Sequence, residues 1–184
     1  MVVILVVIPL VVIAALVYVG VRNSIVAARN RVDESWSGID VQLKRRHDLI
    51  PNLVEAVKGY AKHESQTFEN VTKARNEAIS ATGVDGVAKA EGNLTGALGG
   101  LRVVAEQYPE LRATENFQQL QRQLSELEDE IQAARRIYNS NVQSYNTKIQ
   151  QFPGSIIAGS SFQARSFFEI EEAADRDAPQ VSFS

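Results

Sequence analysis

The chain has 184 residues, a formal net charge of −3 and no cysteine. That length accommodates one domain and an appendage and excludes two large domains. The acidic balance argues against nucleic acid as a partner, and the missing thiol excludes disulfides, thiolate metal sites, cysteine nucleophiles and acylation on cysteine.

A mean hydropathy of −0.14 averages two unlike parts. From Val2 to Val21 the chain is uncharged and apolar apart from Pro9, Tyr18 and Gly20, whereas the remainder is rich in Glu, Gln, Arg and Asn. As a helix the first stretch spans roughly 30 Å, the thickness of a hydrocarbon core. A secretory signal would open on a basic stretch and carry a shorter apolar run, so an uncleaved anchor over residues 1–22 is the better reading. Tyr18 is spaced for the interfacial belt, and Arg22 and Arg29 for phospholipid. Arg22, Arg29 and Arg31 follow the span and no Lys or Arg precedes it, so the positive-inside rule puts the N-terminus outside and the C-terminal domain in the cytoplasm. The expected location is therefore the inner (plasma) membrane, crossed once.

Behind the anchor, Ile25, Val32, Trp36, Ile39, Leu43, Ile50, Leu53, Val57, Tyr60, Phe68 and Val71 recur mostly at alternating steps of three and four. This predicts one long helix, kinked at Pro51. Ser80–Val87, with two glycines, reads as the following turn. A second helix is predicted over about residues 88–107, burying Leu94, Leu98, Leu101, Val104 and Tyr108. Gly92, Gly96 and Gly100 stand at four-residue spacing on it, each costing roughly 1 kcal/mol against Ala unless another backbone packs closely there. Tyr108-Pro109 ends that helix and Thr114 caps a third, in which Phe117, Leu120, Leu124, Leu127, Ile131, Ala134, Tyr138, Asn141, Tyr145, Ile149 and Phe152 form a heptad-like seam until Pro153-Gly154. Such helices bury one shared core only as an antiparallel bundle. The expected fold is all-α: an N-terminal transmembrane helix, then an antiparallel bundle of three to four long helices over residues 23–153. The tail, 154–184, lacks periodicity, but Phe162, Phe167, Phe168 and Phe183 predict that it packs on the bundle, a neighbouring subunit or the membrane.

Signals for chemistry are weak. Arg45–Asn52 (RRHDLIPN) looks like a kinase catalytic loop without the β-rich lobe that loop requires. His47 and His63 are the two histidines and lie too far apart for helical metal-ligand spacing, and Thr67 stands where a zinc-protease motif beginning at His63-Glu64 needs its second histidine. The sequons at Asn70 and Asn93 fall in predicted helices. Lys44, Arg45 and Arg46 lie about 33 Å along a straight helix from Arg22, against a Debye length of about 8 Å, so they are assigned to bundle carboxylates or a partner protein rather than lipid. Tyr138-Asn139 and Tyr145-Asn146, seven residues apart on one face, read first as register-setting tyrosines and second as an interaction patch.

The segments Arg29–Glu64 (RNRVDESWSGIDVQLKRRHDLIPNLVEAVKGYAKHE), Val71–Arg75 (VTKAR), Leu101–Asn139 and Tyr145–Pro153 (YNTKIQQFP) resemble the LemA family of bacterial membrane proteins. The resemblance covers nearly the whole chain. It implies an N-terminal transmembrane helix, a cytoplasmic helical bundle, and no established activity or cofactor. The departure is in the tail, where Gly159 is followed by Ser160-Ser161-Phe162 rather than by a bulky apolar residue and Gly-Phe.

The expected function is a membrane-anchored interaction or scaffold protein without catalysis, metal or cofactor. Its partners would be the bilayer and other membrane proteins or further copies of itself as a homo-oligomer. The alternative is a self-assembling, membrane-organising protein, with the glycines of the second helix in the contact; an unrecognised enzyme is the remote third.

Overall fold

The computed structural model describes residues 2–169, and all regular structure among them is helical. Six helices follow in order: α1 (Val2–Lys58), α2 (Ser65–Ser80), α3 (Val84–Glu106), α4 (Pro109–Ala113), α5 (Glu115–Gln150) and α6 (Gly154–Ala158). The chain divides into two compact units, one of Met1–Ile39 with Ala134–Phe167, the other of Asp40–Ala133 with the described chain from Phe168. The long helices α1 and α5 each contribute a stretch to both.

In the unit beginning at Asp40, the predicted first helix is two. The run from Ile50 through Phe68 and Val71 keeps its three-and-four spacing because both halves face one core, yet the helix stops at Lys58 and the chain turns at Gly59. The Gly59 and Ala61 amides close that turn onto the Glu55 and Val57 carbonyls at 3.3 and 2.9 Å. Tyr60, placed on the stripe by spacing, is exposed there. The Arg75 Nε donates to the His47 carbonyl at 2.7 Å, so α2 comes back antiparallel along α1. Pro51 starts no new helix; Ile50, Leu53, Val54 and Val57 are all buried across it.

The predicted turn over 80–87 shrinks to three residues, since α3 starts at Val84 directly after Gly83, whose φ of 73° is one that glycine adopts without a Cβ penalty. Leu94, Leu98, Leu101 and Val104 are buried as their spacing predicts. An unforeseen single turn, α4, begins with Pro109, a residue preorganised for a helix start. Thr114 then caps α5, its hydroxyl accepting from the Phe117 amide at 3.4 Å. Burying each large aliphatic of this core contributes about 1.5–3 kcal/mol.

In the unit beginning at the N-terminus, α5 returns antiparallel along α1: Lys148 Nζ donates to Ser24 Oγ at 2.6 Å and Asn141 Nδ2 to the Arg31 carbonyl at 3.4 Å. Ile25, Ala28, Val32 and Ile39 are buried, as are Tyr138, Val142, Tyr145 and Ile149. Two members of the predicted seam fall off it. Val142 takes the core position given to Asn141, and Phe152, two residues beyond α5, is 81% exposed. Gly154 sits so tightly against the end of α5 that a Cβ there would collide with the Lys148 carbonyl oxygen.

Candidate functional site

The stripe on α1 has a seven-residue gap between Leu43 and Ile50, and the helical positions that fill it are Arg46 and His47. Both are buried, Arg46 to 3% exposure, and both turn toward Glu91 of α3, which is fully enclosed. The His47 Nε2 lies 2.6 Å from Glu91 Oε1; a carboxylate partner puts the proton on Nε2, which donates. One Arg46 terminal nitrogen donates to the other Glu91 oxygen at 3.3 Å, and the second to Thr95 Oγ1, one turn along α3, at 3.0 Å. The Glu128 carboxylate of α5 approaches that second nitrogen at 3.5 Å. The Arg46 Nε has no hydrogen-bond partner.

A histidine against a carboxylate is also the beginning of a general acid–base pair. Here the carboxylate is committed to Arg46 and shielded from solvent, while His47 touches a cavity of about 280 Å³ whose wall includes Asp40, Lys44, Asp48 and Ile79. An open groove of about 820 Å³ along α2, lined among others by Lys58, Lys62, Phe68 and Lys73, is separate from the cluster. Among the described residues, no three His, Cys, Asp or Glu side chains gather as a metal site. The arrangement is suited to locking α1, α3 and α5 in one register through a paired internal charge.

A second polar construction lies in the N-terminal unit. Tyr138 and Tyr145 are buried with their hydroxyls donating to the Ser166 and Gln163 carbonyls, both at 3.0 Å. Asn146 pairs with the Arg165 backbone twice, Nδ2 to the carbonyl and Oδ1 from the amide, both at 2.9 Å. The Arg165 guanidinium bonds Asp33 at 3.0 Å, and the Trp36 ring meets that of Tyr138 at 5.4 Å. The seven-residue repeat thus holds the backbone of the tail from Gln163 to Ser166 along α5. Burial pushes the Tyr145 hydroxyl above its ordinary pKa, against the opposing pull of Arg165 and Arg29.

The sequence-predicted site residues are therefore dispersed. Of the two readings given to the basic run, Arg46 takes the first: its guanidinium pairs with a carboxylate inside the fold and offers no surface to another protein, while Lys44 stays exposed and Arg45 pairs on the surface with Glu130 at 2.7 Å. Tyr138 and Tyr145 likewise take the structural reading over the interaction patch, since the tail occupies their polar tips despite its departure at Ser160-Ser161. Phe168 is fully buried and Phe162 lies under Arg29 at 6.0 Å; Phe183 lies outside the described residues. Arg29 is thus half-buried against an aromatic ring rather than free for a phospholipid, whereas Tyr18 and Arg22 are exposed. Gly92 is half-buried; Gly96 and Gly100 are exposed, and a Cβ at either meets nothing within 4 Å, so none of the described helices packs closely there. Glu91 and Arg75 escaped sequence reasoning, although Glu91, three residues before Leu94 and three after Ala88, is a charge on a buried stripe.

The apolar part of α1 behaves differently from every other helix: its most hydrophobic window is long and apolar enough to cross a membrane, and none of it is buried in the fold. A model of the LemA family matches residues 35–183. Protein LemA of Metamycoplasma hominis is 31% identical over 144 residues, covering 77% of this chain and 65% of that protein. Magnetosome protein MamQ 2 of Paramagnetospirillum magneticum is 25% identical, and Magnetosome protein MamQ of Magnetospirillum gryphiswaldense 24%, each over 83% of this chain and 66% of the relative. The chain spans just under two thirds of the length of these curated relatives.

Proposed function

The chain belongs to the LemA family, and from that premise we propose that it is a membrane-anchored interaction or scaffold protein whose helical domain works without catalysis. The observation that carries this reading is the unburied apolar stretch at the start of α1, which has no partner in the fold and continues as the same helix into the packed residues from Ile25 onward. Leaving such a surface in water would cost about 25 cal/mol per Å², so a bilayer is its natural solvent. Arg22 and Arg31, exposed behind the span, favour a cytoplasmic helical domain. The names of the relatives are not enzyme names, and the buried ionic cluster is arranged as a brace.

Cross-linking in native membranes followed by mass spectrometry tests the interaction role: a reproducible partner or homo-oligomer is expected, and a solely monomeric population defeats it. Protease added to intact cells should spare the helical domain; its digestion from outside reverses the orientation.

A second reading, self-assembly that organises a membrane, is favoured by the outer face of α3, where Gly96, Gly99, Gly100 and Val103 are all exposed, and by relatives named as magnetosome proteins. Arrays on liposomes in electron micrographs support it, and dispersed protein at high density excludes it.

A further inference from the structure

The turn after α5 exposes two large apolar side chains, Phe152 at 81% and Ile156 at 73%. Isolated surface apolar residues are ordinary, but these two flank one tight turn, and their position along α1 gives them a meaning. The links Ser24–Lys148 and Arg31–Asn141 are seven residues apart on each helix, so α1 and α5 run antiparallel with equal steps. Extending that register three residues past Lys148 brings Gln151 level with Val21, the last apolar residue of the span, and Phe152 level with Gly20. The chain then returns: Gly154 lies beside Ile25, whose Cδ1 is 3.7 Å from where a glycine Cβ would be. Phe152, at the tip of the turn, is thus held level with the end of the apolar run, which on the anchored reading is where the span leaves the bilayer. Arg22 and Lys148 stand on the aqueous side of that height, about 2 and 5 Å beyond Val21 along the helix axis.

Apolar side chains at the tip with cations just behind them form the pattern of an interfacial membrane contact, in which rings and aliphatics enter the headgroup boundary and cations meet phosphates. We infer that the Gln151–Ile156 turn is a second membrane contact, dipping Phe152 and Ile156 into the lipid surface beside the transmembrane span. This rests on the anchored reading above. Two contacts would stop the unit from swivelling about a single helix and would set the face it turns to the membrane.

The cysteine-free chain allows a direct test. Single cysteines at Phe152, Ile156, Val17 and Ile137 in the full-length protein are labelled with an environment-sensitive fluorophore in phosphatidylcholine–phosphatidylglycerol vesicles carrying nitroxide-labelled lipid. Quenching at positions 152, 156 and 17, with loss of quenching at position 137, is expected. If the Val17 probe is quenched and those at 152 and 156 are not, the turn contacts something other than lipid and the inference is overturned while the anchor stands. If Val17 is not quenched either, the anchored reading fails and the inference with it. To separate the side chains from the label, a probe at Gln151 should be quenched in the parent chain and lose its quenching in F152S/I156S; equal quenching in both overturns the role given to Phe152 and Ile156.

Discussion

Removing Glu91 should be the most costly single change in the unit that contains it. With Ala at that position, Arg46, 3% exposed in the parent chain, keeps the neutral Thr95 hydroxyl at 3.0 Å and, of its two carboxylates, only Glu128 at 3.5 Å, a side chain 39% exposed and therefore screened by water. Breaking a buried ion pair from one side costs about 3–5 kcal/mol, because the surviving charge is left in a low-dielectric setting. The His47 donor loses its acceptor in the same step. For a chain of this size, the loss corresponds to a fall in Tm of about 6–20 °C. The assay is thermal and urea unfolding of the full-length protein in detergent micelles, followed by far-UV circular dichroism. Glu91→Gln, which can still accept hydrogen bonds but carries no charge, should fall between wild type and Glu91→Ala. The double replacement R46M/E91L removes both charges and should recover at least half of the loss. The reasoning is refuted if Glu91→Ala costs less than about 1 kcal/mol, below the ordinary penalty for an unsatisfied buried polar group, or if R46M/E91L is as unstable as Glu91→Ala.

Gly154→Ala should destabilise the N-terminal unit by about 1–3 kcal/mol, the usual cost of overpacking, because its methyl meets the Lys148 carbonyl; unfolding midpoints equal to wild type would contradict this. Gly96→Ala and Gly100→Ala should each stabilise α3 by up to about 1 kcal/mol, since nothing lies within 4 Å of the new methyl; the same variants should abolish liposome arrays if that face mediates assembly. Tyr145 supplies a pH dependence. Its pKa is raised in the folded state, chiefly by burial, so the folded protein holds this proton more tightly than the unfolded chain. That contribution is complete below the ordinary tyrosine value of 10.0 and is lost as pH rises past it through the folded-state value. Tyr145→Phe should cost about 0.5–1.5 kcal/mol at neutral pH through the lost bond to Gln163 and should flatten the alkaline decline; an unchanged alkaline profile would refute the assignment.

The helices were largely legible because their apolar periods are strong. Thr114 was recognisable as a cap, and the span was visible as an uncharged run. The break at Lys58 was hidden because the turn of Gly59–Glu64 preserves the phase of the stripe, so Phe68 and Val71 look like further turns of the same helix when they belong to its antiparallel neighbour. The ionic cluster was half visible. A polar pair in the gap between Leu43 and Ile50, and a glutamate on the stripe of α3, each announce a buried charge, but that they meet depends on the α1–α3 packing. The tail was legible as a segment that packs on something, but not on which surface, because the backbone carbonyls that Tyr138 and Tyr145 select have no sequence identity.

This division has a consequence for where a partner can bind. The residues with the best chemical credentials for an interface, Arg46, Tyr138 and Tyr145, are consumed inside the fold, where one guanidinium pairs with a buried carboxylate and two buried hydroxyls find acceptors in the tail backbone. Exposing them to another protein would mean breaking those bonds first, at about 0.5–1.5 kcal/mol for each neutral hydrogen bond and more for the charged one. The surfaces that need no such rearrangement are chemically plainer: Lys44 on α1, the glycine-lined face of α3 with Val103, and the Phe152–Ile156 turn. Plain exposed faces combined with a braced interior favour a body that keeps its shape while it is held at the bilayer, and they place the work of recognition on geometry rather than on a reactive group.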